Sequence, residues 1–186
     1  MIRMTSPMTL TVPPTATAPA LTLRPWQASD IPAVVAAHRD ETMRRWLVRP
    51  IADEDEAQAW LADQHKGWAD DTCLSWAVEQ QGTMVGCFLI KAANPPEMLA
   101  TGVGYWTVAA ARGQGIASRC VEAATQWLFG EQDLMPADEI ELIHTVGNEG
   151  SCRVAQKSGY VLDSVLPPFP PRYPDKGHRH VRKRPA

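Results

Sequence analysis

Leu21-Thr22-Leu23-Arg24 alternates apolar and polar positions and stops at Pro25, which predicts a first strand. Ser29 or Asp30 then caps a helix that carries Pro32 in its first turn and runs to about His38. A short helix follows over about Glu41–Leu47. Asp53-x-x-Glu56 forms a capping box that opens a helix reaching about Ala69, with Ala57, Trp60 and Leu61 at helical spacing. Ser75–Glu79 alternates, with Trp76 and Val78 on one face, and Gly82 turns the chain into the uniformly apolar Thr83–Lys91. Such a run fits a strand buried on both faces. Asn94-Pro95-Pro96 breaks it, and Leu99–Val108 is a further strand. Ile116, Cys120, Val121, Ala124, Trp127 and Leu128 line one side of a helix over Ile116–Phe129. Glu139–Val146 (strand), Glu149–Ser158 (helix) and Tyr160–Leu166 (strand) complete the pattern. Gly177–Arg182 fits a last edge strand.

Alternation of strands and helices predicts an α/β (α+β) fold, a mixed central sheet of about six or seven strands with helices on both faces. Composition agrees: 45% of the 186 residues are hydrophobic and 21% charged, enough for a packed core. No run of eighteen apolar residues suggests a membrane span. The net charge of −3 argues against a general nucleic-acid binder but hides an asymmetry. Residues 21–171 hold eleven Lys/Arg against twenty Asp/Glu, whereas residues 172–186 hold six basic side chains against Asp175. The first twenty residues contain five threonines and four prolines, so residues 1–20 read as a flexible leader, residues 21–166 as the folded domain, and residues 167–186 as a Pro-rich then basic segment. None of Cys73, Cys87, Cys120 and Cys152 forms a C-x-x-C pair, which argues against zinc and for reduced thiols in a cytoplasmic protein. His178-x-His180 has metal-ligand spacing, but the sequence shows no third ligand, so no metal is expected.

Chemistry concentrates after the strand ending at Val108. Arg112-Gly113-Gln114-Gly115-Ile116-Ala117 places two glycines just before a helix. Glycine lets backbone N–H groups approach an anion closely, and the helix N-terminus adds a partial positive charge. A diphosphate suits such a turn, although a plain strand-to-helix turn has the same composition. No lysine follows to make a nucleotide P-loop, and Ser118 stands where a dinucleotide fingerprint needs its third glycine.

Arg112-x-x-Gly115-x-Ala117 resembles the pyrophosphate-binding loop of the GNAT acetyltransferase superfamily. Asn148-x-x-Ser151-x-x-Val154-Ala155-x-Lys157-x-Gly159-Tyr160 is similar to a segment of its ribosomal-protein N-terminal acetyltransferase (RimJ/RimL-like) branch. Leu21-x-Leu23-Arg24-Pro25 with Asp30, and Gly104-Tyr105-Trp106, resemble that branch too. The resemblance covers about Leu21 to Leu166 and implies a GNAT-fold domain with acetyl-CoA as cosubstrate. It implies that Arg112, Gly113, Gln114, Gly115, Ile116 and Ala117 bind the diphosphate. Trp106, Thr107 and Val108 would orient the thioester through backbone N–H groups, Asn148 would hold the pantetheine arm, and Ser151 would donate a proton to the leaving sulfur.

One position departs from the resemblance. Related sequences often have glutamate two residues before the equivalent of Gly104, and here that residue is Gly102. Glu141 and His144 on the next strand are the alternative bases, on opposite faces because their separation is odd. The missing glutamate favours a weakly basic amine as acceptor, such as a peptide N-terminus or a small-molecule amine. A homodimer fits the family, and a membrane partner does not. The other reading is a non-catalytic acyl-CoA-binding or ribosome-associated module.

Overall fold

Short capping signals set the helix ends of the computed structural model, which describes residues 7–130, 132, 134, 135 and 137–185. Asp40 Oδ1 accepts from Met43 N at 2.7 Å, Asp53 Oδ1 from Glu56 N at 2.9 Å, and Asn148 Oδ1 from Ser151 N at 3.1 Å. Each satisfies an N–H that the first helical turn leaves unpaired. The elements in order are β1 (Leu10–Val12), β2 (Leu21–Pro25), α1 (Ile31–Ala37), α2 (Glu41–Trp46), α3 (Glu54–Ala69), β3 (Cys73–Gln80), β4 (Thr83–Lys91), β5 (Thr101–Thr107), α4 (Ile116–Phe129), β6 (Glu139–Thr145), α5 (Glu149–Lys157), β7 (Val161–Leu166) and β8 (Gly177–Lys183). The mixed sheet has eight strands where six or seven were expected. Among the described residues, no helix is long and apolar enough to cross a membrane.

Two compact units divide these elements: the chain up to Ile90 with Tyr105–Ala117, and Lys91–Gly104 with Ser118 onward. In the first, β1 pairs antiparallel with β2, Leu10 opposite Leu23. The expected structureless leader therefore contributes a strand, and Val12 is buried. Residues 1–6 of that leader lie outside the described residues. β2 pairs antiparallel with β3, Leu23 opposite Val78. Leu21, Leu23, Trp76 and Phe88 are fully buried. A second cluster joins Trp26, Ala77 and Cys87 to Val34 and Val35 of α1 and Ala57 and Leu61 of α3. Burial on both faces explains why β4 reads as a nearly continuous apolar run. Trp60 packs edge-on against Trp26 at 4.8 Å, and Trp68 against Trp76 at 5.1 Å.

In the second unit, β5 pairs in parallel with β6 at three positions, Thr101–Val103 against Ile140–Leu142. β6 pairs antiparallel with β8 along its whole length, and β8 pairs in turn with β7. The basic C-terminal segment is therefore an interior strand between β6 and β7, not the edge strand expected. Ion pairing gives the reason. Arg179, almost fully buried, meets Glu139 and Glu141 at 2.6 Å each and Asp163 at 2.9 Å. Arg182 reaches Glu122 at 2.6 Å and the Ser158 carbonyl at 2.7 Å. The basic tail is a set of counter-ions for the acidic body. On α4, Cys120, Val121, Ala124 and Leu128 are buried. Tyr160 Oη and Thr125 Oγ1 share a buried hydrogen bond of 2.7 Å.

Candidate active site

In the first unit, the chain leaves β5 through a 3-10 turn at Ala109–Ala111 and reaches α4 through Arg112-Gly113-Gln114-Gly115. Gly113 and Gly115 have φ of +78° and +73°. Side chains rarely adopt this left-handed region, so the turn depends on glycine. A Cβ built on either residue meets no atom within 4 Å, so the space beside both is open. Ile116 is buried and anchors the start of α4, whose first N–H groups have no partner within the helix. An exposed turn, open space and a helix N-terminus together fit a diphosphate.

Arg112 does not stand alone in this loop. Its guanidinium donates to Asp40, the residue that caps α2. That hydrogen bond holds the Asp40 carboxyl below its ordinary range. Gln114 Nε2 donates to the Ala110 carbonyl at 3.3 Å.

The end of β5 corrects one expectation. Val108 N donates to the Val85 carbonyl of β4 at 2.9 Å, so this N–H is already used within the sheet. Successive strand N–H groups point to opposite sides, which turns that of Thr107 away from β4. Trp106 packs against Trp26 and, edge-on, against His38 at 5.5 Å. His38 was not singled out by sequence. Its Nδ1 accepts from Ile51 N at 2.9 Å, and burial, helped by Arg44, pulls its pKa down to about 4.

The second unit holds the remaining candidates. Asn148 is the N-cap of α5, and Ser151 sits half-buried in the first turn with its N–H on the Asn148 side chain. Glu141 is almost fully buried. One carboxylate oxygen accepts from Arg179 Nε at 2.6 Å and the other from Leu99 N at 3.2 Å. Both oxygens being engaged, Glu141 is a buried counter-ion and not an open base. At Gly102, a Cβ would clash with the Met98 methyl, so Met98 fills the space beside this glycine. His144 Nδ1 lies 3.0 Å from its neighbour's carbonyl at Thr145, and its Nε2 faces His180 Nε2 at 3.2 Å. Burial is the main cause that lowers the pKa of both imidazoles. The sequence paired His178 with His180 but could not bring His144 to them, because that contact depends on the β6–β8 register, His144 opposite His178.

Comparison with known proteins places the fold. RimL, a ribosomal L7/L12 alpha-N-protein acetyltransferase solved with coenzyme A, superposes with a TM-score of 0.77 at 18% identity, covering 94% of this chain and 98% of that one. Mycobacterium smegmatis RimJ with CoA-disulfide gives 0.79 at 17% identity, covering 95% and 88%. The microcin C7 self-immunity acetyltransferase MccE, solved with acetyl-CoA and AMP, gives 0.75 at 13% identity, covering 88% and 92%. No curated protein sequence matches the chain. The sequence profile of the acetyltransferase (GNAT) domain matches residues 20–161, most of the described fold. With the glycine turn before α4 in the same segment, the chain belongs to the GNAT acetyltransferase family.

Proposed function

We propose that this acetyltransferase moves the acetyl group of acetyl-CoA directly to the α-amine of a peptide or protein N-terminus. One observation carries the choice of acceptor: none of the three positions at which the sequence pointed to a base offers an open one. Met98 fills the space at Gly102, Glu141 is held between Arg179 and Leu99 N, and His144 Nε2 faces His180. An acceptor must then arrive as the free base. Near pH 7.4 an α-amine with pKa about 7.7–8.0 is roughly one-fifth to one-third unprotonated, whereas a lysine amine with pKa about 10.4 is so only to about one part in a thousand. The difference, about 200- to 300-fold, favours an N-terminus. The fold likeness to RimL, which acts on the L7/L12 N-terminus, supports the same reading.

Arg112, Gly113, Gln114, Gly115, Ile116 and Ala117 take the diphosphate in this proposal, through backbone N–H groups and the α4 N-terminus. Thr107 N–H, turned away from β4, polarises the acetyl carbonyl, and Trp106 fixes the strand that carries it. Asn148 uses Oδ1 for the cap and offers Nδ2 to the pantetheine arm. The amine nitrogen bonds to the carbonyl carbon and the carbon–sulfur bond breaks. The amine gives up one proton to water, and the leaving sulfur gains one from the Ser151 hydroxyl, which recovers it from water.

The test is thiol release from acetyl-CoA across N-terminal peptides, N-blocked lysine peptides, polyamines and aminoglycosides, with product masses. Acetylation of α-amines at rates that rise with pH along the amine's own titration is expected. Faster acetylation of lysine peptides or aminoglycosides would overturn the acceptor assignment. Binding of acetyl-CoA without thiol release to any amine would leave only an acyl-CoA-binding module. Gly115→Val should weaken acetyl-CoA binding at least tenfold, since a β-branched residue resists φ of +73° and fills the open space.

A further inference from the structure

The sequence offered two imidazoles at metal-ligand spacing; the fold supplies two more donors. Nitrogen or sulfur donor atoms of His144 (β6), Cys152 (α5), His178 and His180 (β8) all lie within 4.8 Å of one another. We propose that these four side chains form a zinc-binding site.

The geometry favours a cation over a network of hydrogen bonds alone. Zinc bonds of about 2.0–2.1 Å to nitrogen and 2.3 Å to sulfur place tetrahedral donors roughly 3.3 Å apart for a nitrogen pair and 3.6 Å for nitrogen and sulfur. His144 Nε2 and His180 Nε2 are already 3.2 Å apart. The widest separations in the group close by about 1 Å on binding, within the reach of side-chain rotation. His144 Nδ1 rests against the Thr145 carbonyl at 3.0 Å, which places its proton there and leaves Nε2 with a lone pair facing the cluster. This outer hydrogen bond is the usual support of a ligating histidine. His178 Nδ1 is buried with no hydrogen-bond partner among the described residues, an arrangement that is costly in a buried group and natural for a ligand. The three rings gather with centroids 5.2–6.1 Å apart. Neutral imidazoles and one thiolate are the donor set that borderline-soft zinc prefers.

All four donors come from protein, so the coordination is closed and the site is structural. Zinc would tie the N-terminal part of α5 to the β6–β8 pair, and Cys152 would lose its thiol proton to solvent on binding. His144, as a ligand, would have no lone pair for the reaction. The inference does not depend on the proposed acceptor, because metal content is read without turnover.

The experiment uses the full chain, expressed with zinc and purified without a nickel column. Elemental analysis after dialysis is expected to give one zinc per chain, and less than a tenth of that in His178→Ala/His180→Ala. Cobalt replacement is expected to give an intense tetrahedral spectrum with a sulfur-to-metal charge-transfer band that Cys152→Ser abolishes. Cys152 is only partly buried, so this variant separates loss of a ligand from loss of fold, checked by circular dichroism. Zinc below a tenth of an equivalent in the wild type would overturn the proposal. So would zinc retained by the double histidine variant, or a cobalt band unchanged by Cys152→Ser.

Discussion

Replacing Arg179 by methionine tests whether the basic tail is a counter-ion for the acidic body. Arg179 has 7% of its side chain exposed and bonds three carboxylates, of which Glu141 has none exposed. Glu139 and Asp163 are 30% and 44% exposed, so water screens both of these ion pairs. Glu141 dominates. Without Arg179 its carboxyl group stays buried without a counter-ion, with the N–H of Leu99 as its remaining donor. Breaking a buried pair by removing one member costs about 3–5 kcal/mol. At a urea sensitivity of roughly 2 kcal/mol per molar, the midpoint should fall by about 2 M. Tryptophan fluorescence and far-ultraviolet circular dichroism followed together would read the transition and test whether it is two-state. Glu141→Gln keeps an acceptor for Leu99 N and removes the charge. Combined with Arg179→Met it should recover at least about 2 kcal/mol relative to additivity. An Arg179→Met variant within about 1 kcal/mol of wild type, or a purely additive double variant, would refute the reasoning.

Gly86→Ala should destabilise by about 2–3 kcal/mol in the same assay, because its Cβ would fall 2.4 Å from the Trp106 carbonyl oxygen, a backbone atom that cannot turn aside. Tyr160→Phe should cost about 1–2 kcal/mol and Tyr160→Phe/Thr125→Val less than the sum of the singles, since the pair shares one buried hydrogen bond. His38 keeps its neutral form in the fold down to about pH 4, while the unfolded chain takes up that proton near pH 6.5. Stability from this group is therefore full above pH 6.5 and is lost as pH falls toward 4, by at most about 3 kcal/mol. Urea midpoints of wild type and His38→Gln at pH 7.5 and 5.0 should show a steeper decline for the wild type; parallel declines would remove His38 as the cause.

Local signals made most of the fold legible. Capping residues, Gly82 and the periodic runs set twelve of the thirteen elements to within a few residues, because each depends on near neighbours in the chain. The glycine turn was legible for the same reason: positive φ at Gly113 and Gly115 is a local demand. Leu10–Val12 escaped because three residues are too few to show a period. The interior place of β8 escaped because Gly177–Lys183 is rich in basic side chains, and only the carboxylates of β6 and β7 make burial of Arg179 affordable. Glu141 looked like a free carboxylate on a strand until the register brought Arg179 beside it. His144 joined His178 by the same register. What the sequence hid was cross-strand pairing between segments some 35 residues apart.

Spatial order and order of synthesis diverge at the C-terminus. β6 is made first, β7 next, and the strand that joins them last. Until β8 docks, β6 carries an open hydrogen-bonding edge, Glu141 lacks its guanidinium, and β7 has no neighbour to pair with. Such an edge is a template for foreign strands. The chain is therefore most exposed to mispairing before β8 docks between β6 and β7, and slow docking of β8 would lengthen the exposure.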